Sequence, residues 1–220
     1  MKLLLASADV DEVRWAASAG LLDGVLTAAA MFTEAGGPSE RELLDAMVRA
    51  ANVPIYVTVH AVEPGEVYRD GREMAKLSDA IVVQVPLVED AIVAIRRLCA
   101  DGVRVAATLV FNAAQAVLAA KAGAQSVVTA IDHLDAVGHG GVQVVRELRA
   151  VFDASGTECD VIAVRPATAT QFTECALAGA DAVAVRPAVL RNLLVHPLTD
   201  RGLDQFLRDL SQQHRQWTPA

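Results

Sequence analysis

Short runs of β-branched and small apolar residues return eight times along the chain, each followed by a segment of helical character. The runs occupy residues 3–7, 24–29, 54–59, 80–85, 103–110, 126–131, 161–165 and 182–186. They are continuously apolar instead of alternating, as parallel strands covered on both faces are. The segments between them carry helix signals. Residues 39–51 open with Ser39-Glu40-Arg41-Glu42, a capping box with serine at the cap and glutamate three residues on. Residues 89–100 place Ala91, Ile92, Ile95 and Leu98 on one helical face, and residues 142–152 do the same with Val145, Leu148 and Val151. Such regular alternation restricts the fold to a closed barrel or an open doubly wound sheet.

The later units echo each other, which favours the barrel. Ala122-Gly123-Ala124 and Ala178-Gly179-Ala180 both end a helical segment and feed a strand, with glycine in the position of a left-handed cap. Val164-Arg165-Pro166-Ala167 is echoed by Val185-Arg186-Pro187-Ala188. The 220 residues suit one lean α/β domain, a (β/α)8 TIM barrel spanning 1–220. A C-terminal helix is expected beyond the eighth unit, over about 199–216, with Leu203, Phe206, Leu207 and Leu210 as its apolar stripe.

Charge and composition exclude several functions. The net charge is −8 and no Lys/Arg run is present, so no nucleic-acid partner is expected. No apolar run approaches the roughly 20 residues of a membrane span. The apolar part of Met1-Lys2-Leu3-Leu4-Leu5 is too short for an export signal and meets Asp9, Asp11 and Glu12 at once. A cytoplasmic protein is expected. Cys99, Cys159 and Cys175 form no CxxC pair and read as reduced thiols. No His/Cys/Asp/Glu spacing matches a recognised metal site. Neither a dinucleotide glycine fingerprint nor a phosphate P-loop occurs, and no cofactor is expected.

Several stretches resemble one family. They are Ala6-Ser7-Ala8-Asp9-Val10, Gly24-Val25-Leu26-Thr27, Asp79 to Pro86 with its Val83-Gln84-Val85-Pro86, and Ala106 to Gln115. To these are added Asp132-His133-Leu134-Asp135 before the turn Gly138-His139-Gly140-Gly141, and Thr168-Ala169-Thr170-Gln171. Together they resemble the transaldolase and fructose-6-phosphate aldolase family of class I aldolase barrels, in unbroken register over nearly the whole chain. The resemblance implies a lysine on the fourth strand that attacks a ketose carbonyl. Gln84 holds that place, and an amide forms no iminium. It also implies that Ala6, Ala28 and Ala130 replace an aspartate, an asparagine and a tyrosine of the family's site. His133 replaces the phosphate-binding arginine and Arg165 its serine partner, whereas Thr27, Thr108, Gln115 and Asp135 match the family pattern. Lys2, Lys76 and Lys121 are the chain's lysines, and none is expected at the C-terminal mouth where barrel chemistry sits. The resemblance further implies a homo-oligomer joined through the C-terminal helix.

The polar residues expected at the mouth define the candidate site. Arg165 and Arg186 follow strands seven and eight, where barrels of this kind often hold phosphate. Pro166 and Pro187 remove two backbone donors there, so the guanidinium groups would hold an anion directly. His133 or Asp132 would move a proton, while Gln84 would orient a carbonyl or hydroxyl. Thr27, Thr108, Asn112 and His60 complete the expected substrate contacts. The three alanines open space for a ligand bulkier than a triose. The expected function is a lyase, isomerase or transferase acting without a Schiff base on a small phosphorylated or carboxylated metabolite. The alternative is a catalytically silent relative that binds a ligand or a protein.

Overall fold

A computed structural model describes residues 1–35, 39–61 and 63–217. Eight parallel strands close a barrel in sequence order. They are β1 (Lys2–Ala6), β2 (Gly24–Leu26), β3 (Ile55–Thr58), β4 (Ile81–Pro86), β5 (Val105–Thr108), β6 (Ser126–Ala130), β7 (Asp160–Val164) and β8 (Ala182–Val185). The ring shuts where Leu4 of β1 pairs with Ala184 of β8. The α/β barrel read from the eightfold alternation is the fold observed.

The helices sit outside. α1 (Val10–Ser18) follows β1, α2 (Ala29–Ala35) and α3 (Glu40–Ala50) follow β2, and α4 (Pro64–Ala75) follows β3. A single 3-10 turn, Glu89–Ala91, leads into α5 (Ile92–Ala100), and α6 (Ala113–Ala122) follows β5. α7 (Ile131–Ala136) and α8 (Gly141–Ser155) follow β6, and α9 (Ala169–Leu177) follows β7. After β8 come α10 (Pro187–Asn192) and α11 (Pro197–Trp217). The capping box forms as read: Ser39 Oγ accepts from the Glu42 amide, and the Glu42 carboxylate accepts from the Ser39 amide.

Continuous apolarity has a simple cause. Alternate residues of each strand point to opposite faces. One set, including Leu4, Leu26, Tyr56, Val82 and Ile162, fills the barrel interior. The other, including Leu5, Val57, Val83 and Val127, packs against the helices. Both faces exclude water, so both sets are apolar.

Seven of the eight runs end earlier than the sequence reading placed them, and three of these differences bear directly on the mouth. The run 24–29 gives only three strand residues, and Ala29 already begins α2. The run 126–131 stops at Ala130, because Ile131 starts α7. The run 182–186 stops at Val185, and Arg186 becomes the N-cap of α10. The C-terminal helix is real and begins at Pro197, with Leu203, Phe206, Leu207 and Leu210 all exposed.

Candidate active site at the barrel mouth

A cavity of about 260 Å³ opens at the C-terminal ends of the strands. Gln84 lies deep within it. Its neighbours across the sheet are Thr58 on β3 and Ala106 on β5. The side chain is only 2% exposed. Its Nε2 donates to the Thr27 carbonyl at 2.8 Å and to Thr58 Oγ1 at 3.3 Å. A buried amide needs such partners, since an unpaired polar group in the interior costs about 1–3 kcal/mol. The carboxamide is thereby held in one orientation, and among the described residues its Oε1 receives no donor.

The threonines at the mouth divide into two kinds. Thr27 is buried, and its hydroxyl donates to the Tyr56 carbonyl at 2.8 Å, so that hydrogen is committed to the scaffold. Thr58 and Thr108 line the cavity, and Thr58 Oγ1 accepts from Gln84. The opposite wall is apolar: Ala6 from β1, Val128 and Ala130 from β6, and Val164 from β7.

Asp132 and His133 do not terminate β6; they occupy the first turn of α7. A helix separates adjacent side chains by about 100°, so one can turn to the rim and the other to the cavity. Asp132 Oδ2 meets Arg165 Nε at 2.7 Å, and its Oδ1 accepts from the His133 amide at 2.9 Å. His133 lines the cavity with its ring 6.4 Å from that of Phe111. Asp132 therefore acts first as the holder of Arg165. That ion pair is 42% and 35% exposed and, as a solvated pair, contributes about 0–1 kcal/mol.

Arg165 and Leu109 stand out in the backbone. Among the described residues they are the non-glycine residues with positive φ, +68° and +58°. Each follows the last residue of its strand, β7 or β5, and each lines the cavity. A left-handed conformation costs an ordinary L-residue roughly 1–2 kcal/mol, so the rim stores strain at two points. Arg186 has no carboxylate partner among the described residues. Arg165 and Arg186 also border a second, outer cavity of about 570 Å³ with Ser7 and Asp9.

Two residues expected at the mouth are placed elsewhere. His60 leaves β3 outward and lies between α3 and α4, its Nε2 2.9 Å from Glu40 Oε2 and its amide 2.6 Å from Asp70 Oδ2. Burial pushes the Glu40 carboxyl up from its usual range, against the lowering pull of His60. Asn112 caps α6, accepting from the Gln115 amide at 2.9 Å. Neither lines the mouth cavity. Gln115 and Asp135 are scaffold groups as well: Gln115 accepts from the Phe111 amide, and Asp135 accepts from the Gly141 amide and from Gln171. The lysines are remote. Lys2 holds Asp160 at the opposite end of the barrel, Lys76 caps the end of α4, and Lys121 is in the last turn of α6.

The sequence reading missed Met31 and Leu109, which both line the cavity. Met31 arrives on α2, hidden in the sequence by the alanines before it. Nothing in the letters marks Leu109, because leucine is not a residue that announces a left-handed turn. Among the described residues no three His, Cys, Asp or Glu side chains gather to hold a metal ion, and no helix is long and apolar enough to cross a membrane.

A profile of the family described as Transaldolase/Fructose-6-phosphate aldolase matches residues 4–218. The chain belongs to that family. Proteins named "Probable transaldolase" from Hyphomonas neptunium and Rhizobium meliloti are 36% and 37% identical to it, each alignment covering 95% of this chain and 96% of the relative. A solved structure, thiamine phosphate pyrophosphorylase from Pyrococcus furiosus, superimposes with a TM-score of 0.57 at 21% identity over 86% of each chain. At that identity the likeness concerns the barrel alone. The transaldolase-family barrel thus carries, in this chain, a glutamine amide deep in its mouth and no lysine near it.

Proposed function

We propose that this transaldolase-family barrel acts on a small phosphorylated or carboxylated metabolite without forming a Schiff base. The observation that carries the reading is Gln84. It lies at the strand-four position where the family resemblance expects the lysine, buried and fixed by Thr27 and Thr58. An amide nitrogen has no nucleophilic lone pair for carbinolamine formation, so the covalent route is closed. The fixed carboxamide still presents an acceptor to a ligand hydroxyl, and Thr58 and Thr108 supply hydroxyls beside it. Arg186 supplies a positive charge at the rim, and Arg165, steadied by Asp132, supplies a second. His133 is the proton-transfer group, its imidazole lining the cavity. The chemistry that follows is a lyase, isomerase or transferase step by proton transfer on a bound anion.

A second reading is ligand binding without turnover. The commitment of Asp132 to Arg165 favours it, since that carboxylate is then not an independent base.

Two measurements test the proposal. Borohydride reduction in the presence of fructose 6-phosphate or dihydroxyacetone should leave the protein mass unchanged; a reduced adduct would mean a lysine reaches the carbonyl after all. A thermal-shift screen of sugar phosphates and small carboxylates should find a ligand whose effect fades in Arg186→Ala or Arg165→Ala. Hits retained unchanged in both variants would sink the anion site. Hits with no turnover would favour the binding reading.

We also propose a homo-oligomer joined through α11, whose exposed Leu203, Phe206 and Leu207 form the stripe expected of a helix docking on a second copy. Light scattering should report a mass above that of one chain, falling in Phe206→Asp. Three unpaired thiols support a place in the cytoplasm, where cysteines stay reduced.

A further inference from the structure

Apart from His133 beside β6, the polar side chains of the mouth wall gather along one edge. Gln84, Thr58 and Thr108 stand together on β3, β4 and β5. Across the cavity, β6, β7 and β1 present Ala130, Val128, Val164 and Ala6, which offer neither donor nor acceptor from their side chains. Met31 and Leu109 add apolar surface. The charges lie at the rim, as Arg165 and Arg186. The cavity is therefore polar along one edge, apolar over its body and cationic at its entrance.

We infer that the ligand is an apolar-bodied hydroxy anion: a branched aliphatic or small aromatic group, one hydroxyl at Gln84, and a carboxylate or phosphate at Arg186. This rests on the anion site proposed above and narrows its occupant. A polyhydroxylated chain carries a hydroxyl on nearly every carbon. Those turned toward β6, β7 and β1 would lose water and meet mostly alanine and valine, with the His133 imidazole as the polar exception. Each hydroxyl buried without a partner weakens binding about tenfold or more. An aliphatic or aromatic body on the same wall gains by leaving water. The hydroxyl at this edge donates to Gln84 Oε1, since Nε2 is occupied by Thr27 and Thr58 and Oε1 can only accept.

The test is a matched panel read by calorimetry and thermal shift. It contains 3-phenyllactate and 2-hydroxy-2-phenylethyl phosphate as apolar-bodied hydroxy anions. Gluconate and fructose 6-phosphate are the polyol anions, 3-phenylpropanoate lacks the hydroxyl, and 3-phenylpropane-1,2-diol lacks the charge. We expect 3-phenyllactate or the hydroxyphenylethyl phosphate to bind at least tenfold more tightly than either polyol. Between those two, the tighter ligand distinguishes carboxylate from phosphate. Removing the hydroxyl or the charge should each weaken binding several-fold, and Arg186→Ala should erase the benefit of the charge. Ala130→Asn returns a polar group to the bare wall and should narrow the gap between the two classes. Ala28→Asn repeats that test should Ala130→Asn melt early.

The outcomes separate the two claims. If gluconate or fructose 6-phosphate binds as well as the aromatic anions, and still loses affinity in Arg186→Ala, the apolar body is wrong and the anion site stands. If the neutral diol binds as well as 3-phenyllactate, the charge is wrong and with it the anion site. Silence from the whole panel overturns both.

Discussion

At the N-terminal end of the strands, Lys2 holds Asp160 at 2.8 Å and Arg149 holds Asp181 at 2.9 Å. At the C-terminal end, among the described residues, Arg186 has no carboxylate partner and Gln84 Oε1 accepts from no protein donor. The lower end goes further in satisfying itself. Asp181 also accepts from the Val161 amide at 2.7 Å, Asp23 accepts from the Leu3 amide at 2.8 Å, and Arg104 donates to the Asp79 and Ile81 carbonyls. The upper end keeps polar groups unpaired and holds Arg165 and Leu109 in left-handed backbone. Left-handed backbone and an arginine without a carboxylate gather where a ligand is to be received, and mutual pairing is denser where the barrel is merely closed.

Four substitutions can break or sharpen that contrast. The largest loss of stability is expected from Gly141→Ala, which lies on the mouth side and so limits the rule. A Cβ at Gly141 would stand 2.5 Å from the Ile131 carbonyl oxygen, forcing α8 away from α7. Urea unfolding should show a loss of about 3 kcal/mol. A near-neutral result would mean that α7, with Asp132 and His133, is loosely held.

At the lower end, Asp181→Ala removes the acceptor shared by Arg149 and the Val161 amide, and about 2 kcal/mol should go with it. If the loss is no larger than for an exposed ion pair, pairing at this end adds little and the comparison weakens.

Leu109→Asn should raise stability by about 1 kcal/mol, because asparagine tolerates the left-handed backbone better. A higher melting temperature would confirm stored strain at the rim; a lower one would assign Leu109 a packing role instead.

Arg186→Ala should change stability by no more than about 0.5 kcal/mol, the usual range for an exposed residue with no partner. A large loss would reveal a structural role and remove the reason for calling this end receptive.

The amount of the fold that could be read from the letters depended on how local its cause was. Eight apolar runs, the Ser39 capping box and the glycine turns at Gly123 and Gly179 all follow from chain-neighbour chemistry, and each appears as expected. The ends of β2, β6 and β8 did not follow. Ala29, Ile131 and Arg186 suit a strand or a helix start equally well, and in the fold each opens or caps a helix. The candidate site was legible in part. Gln84, Thr27, Thr108, His133, Arg165 and Arg186 do share one cavity, while Asp132 stands beside it holding Arg165. His60 and Asn112 were misplaced because one residue past a strand end can turn outward, and because an asparagine before a helix caps it as readily as it binds a ligand.

From the amino-acid order alone come the barrel, the membership in a family of aldolase barrels and the lack of a lysine near its mouth. These are matters of pattern and identity, and no contact needs to be known to state them. Which arginine is held by Asp132, which threonine has given its hydroxyl to the backbone, and which wall of the cavity is bare belong to the folded molecule. Arg165 and Asp132 are separated by most of a β/α unit in the chain and by 2.7 Å in space. A side chain's chemistry is set by the groups that surround it, and closing the barrel is what brings those groups together.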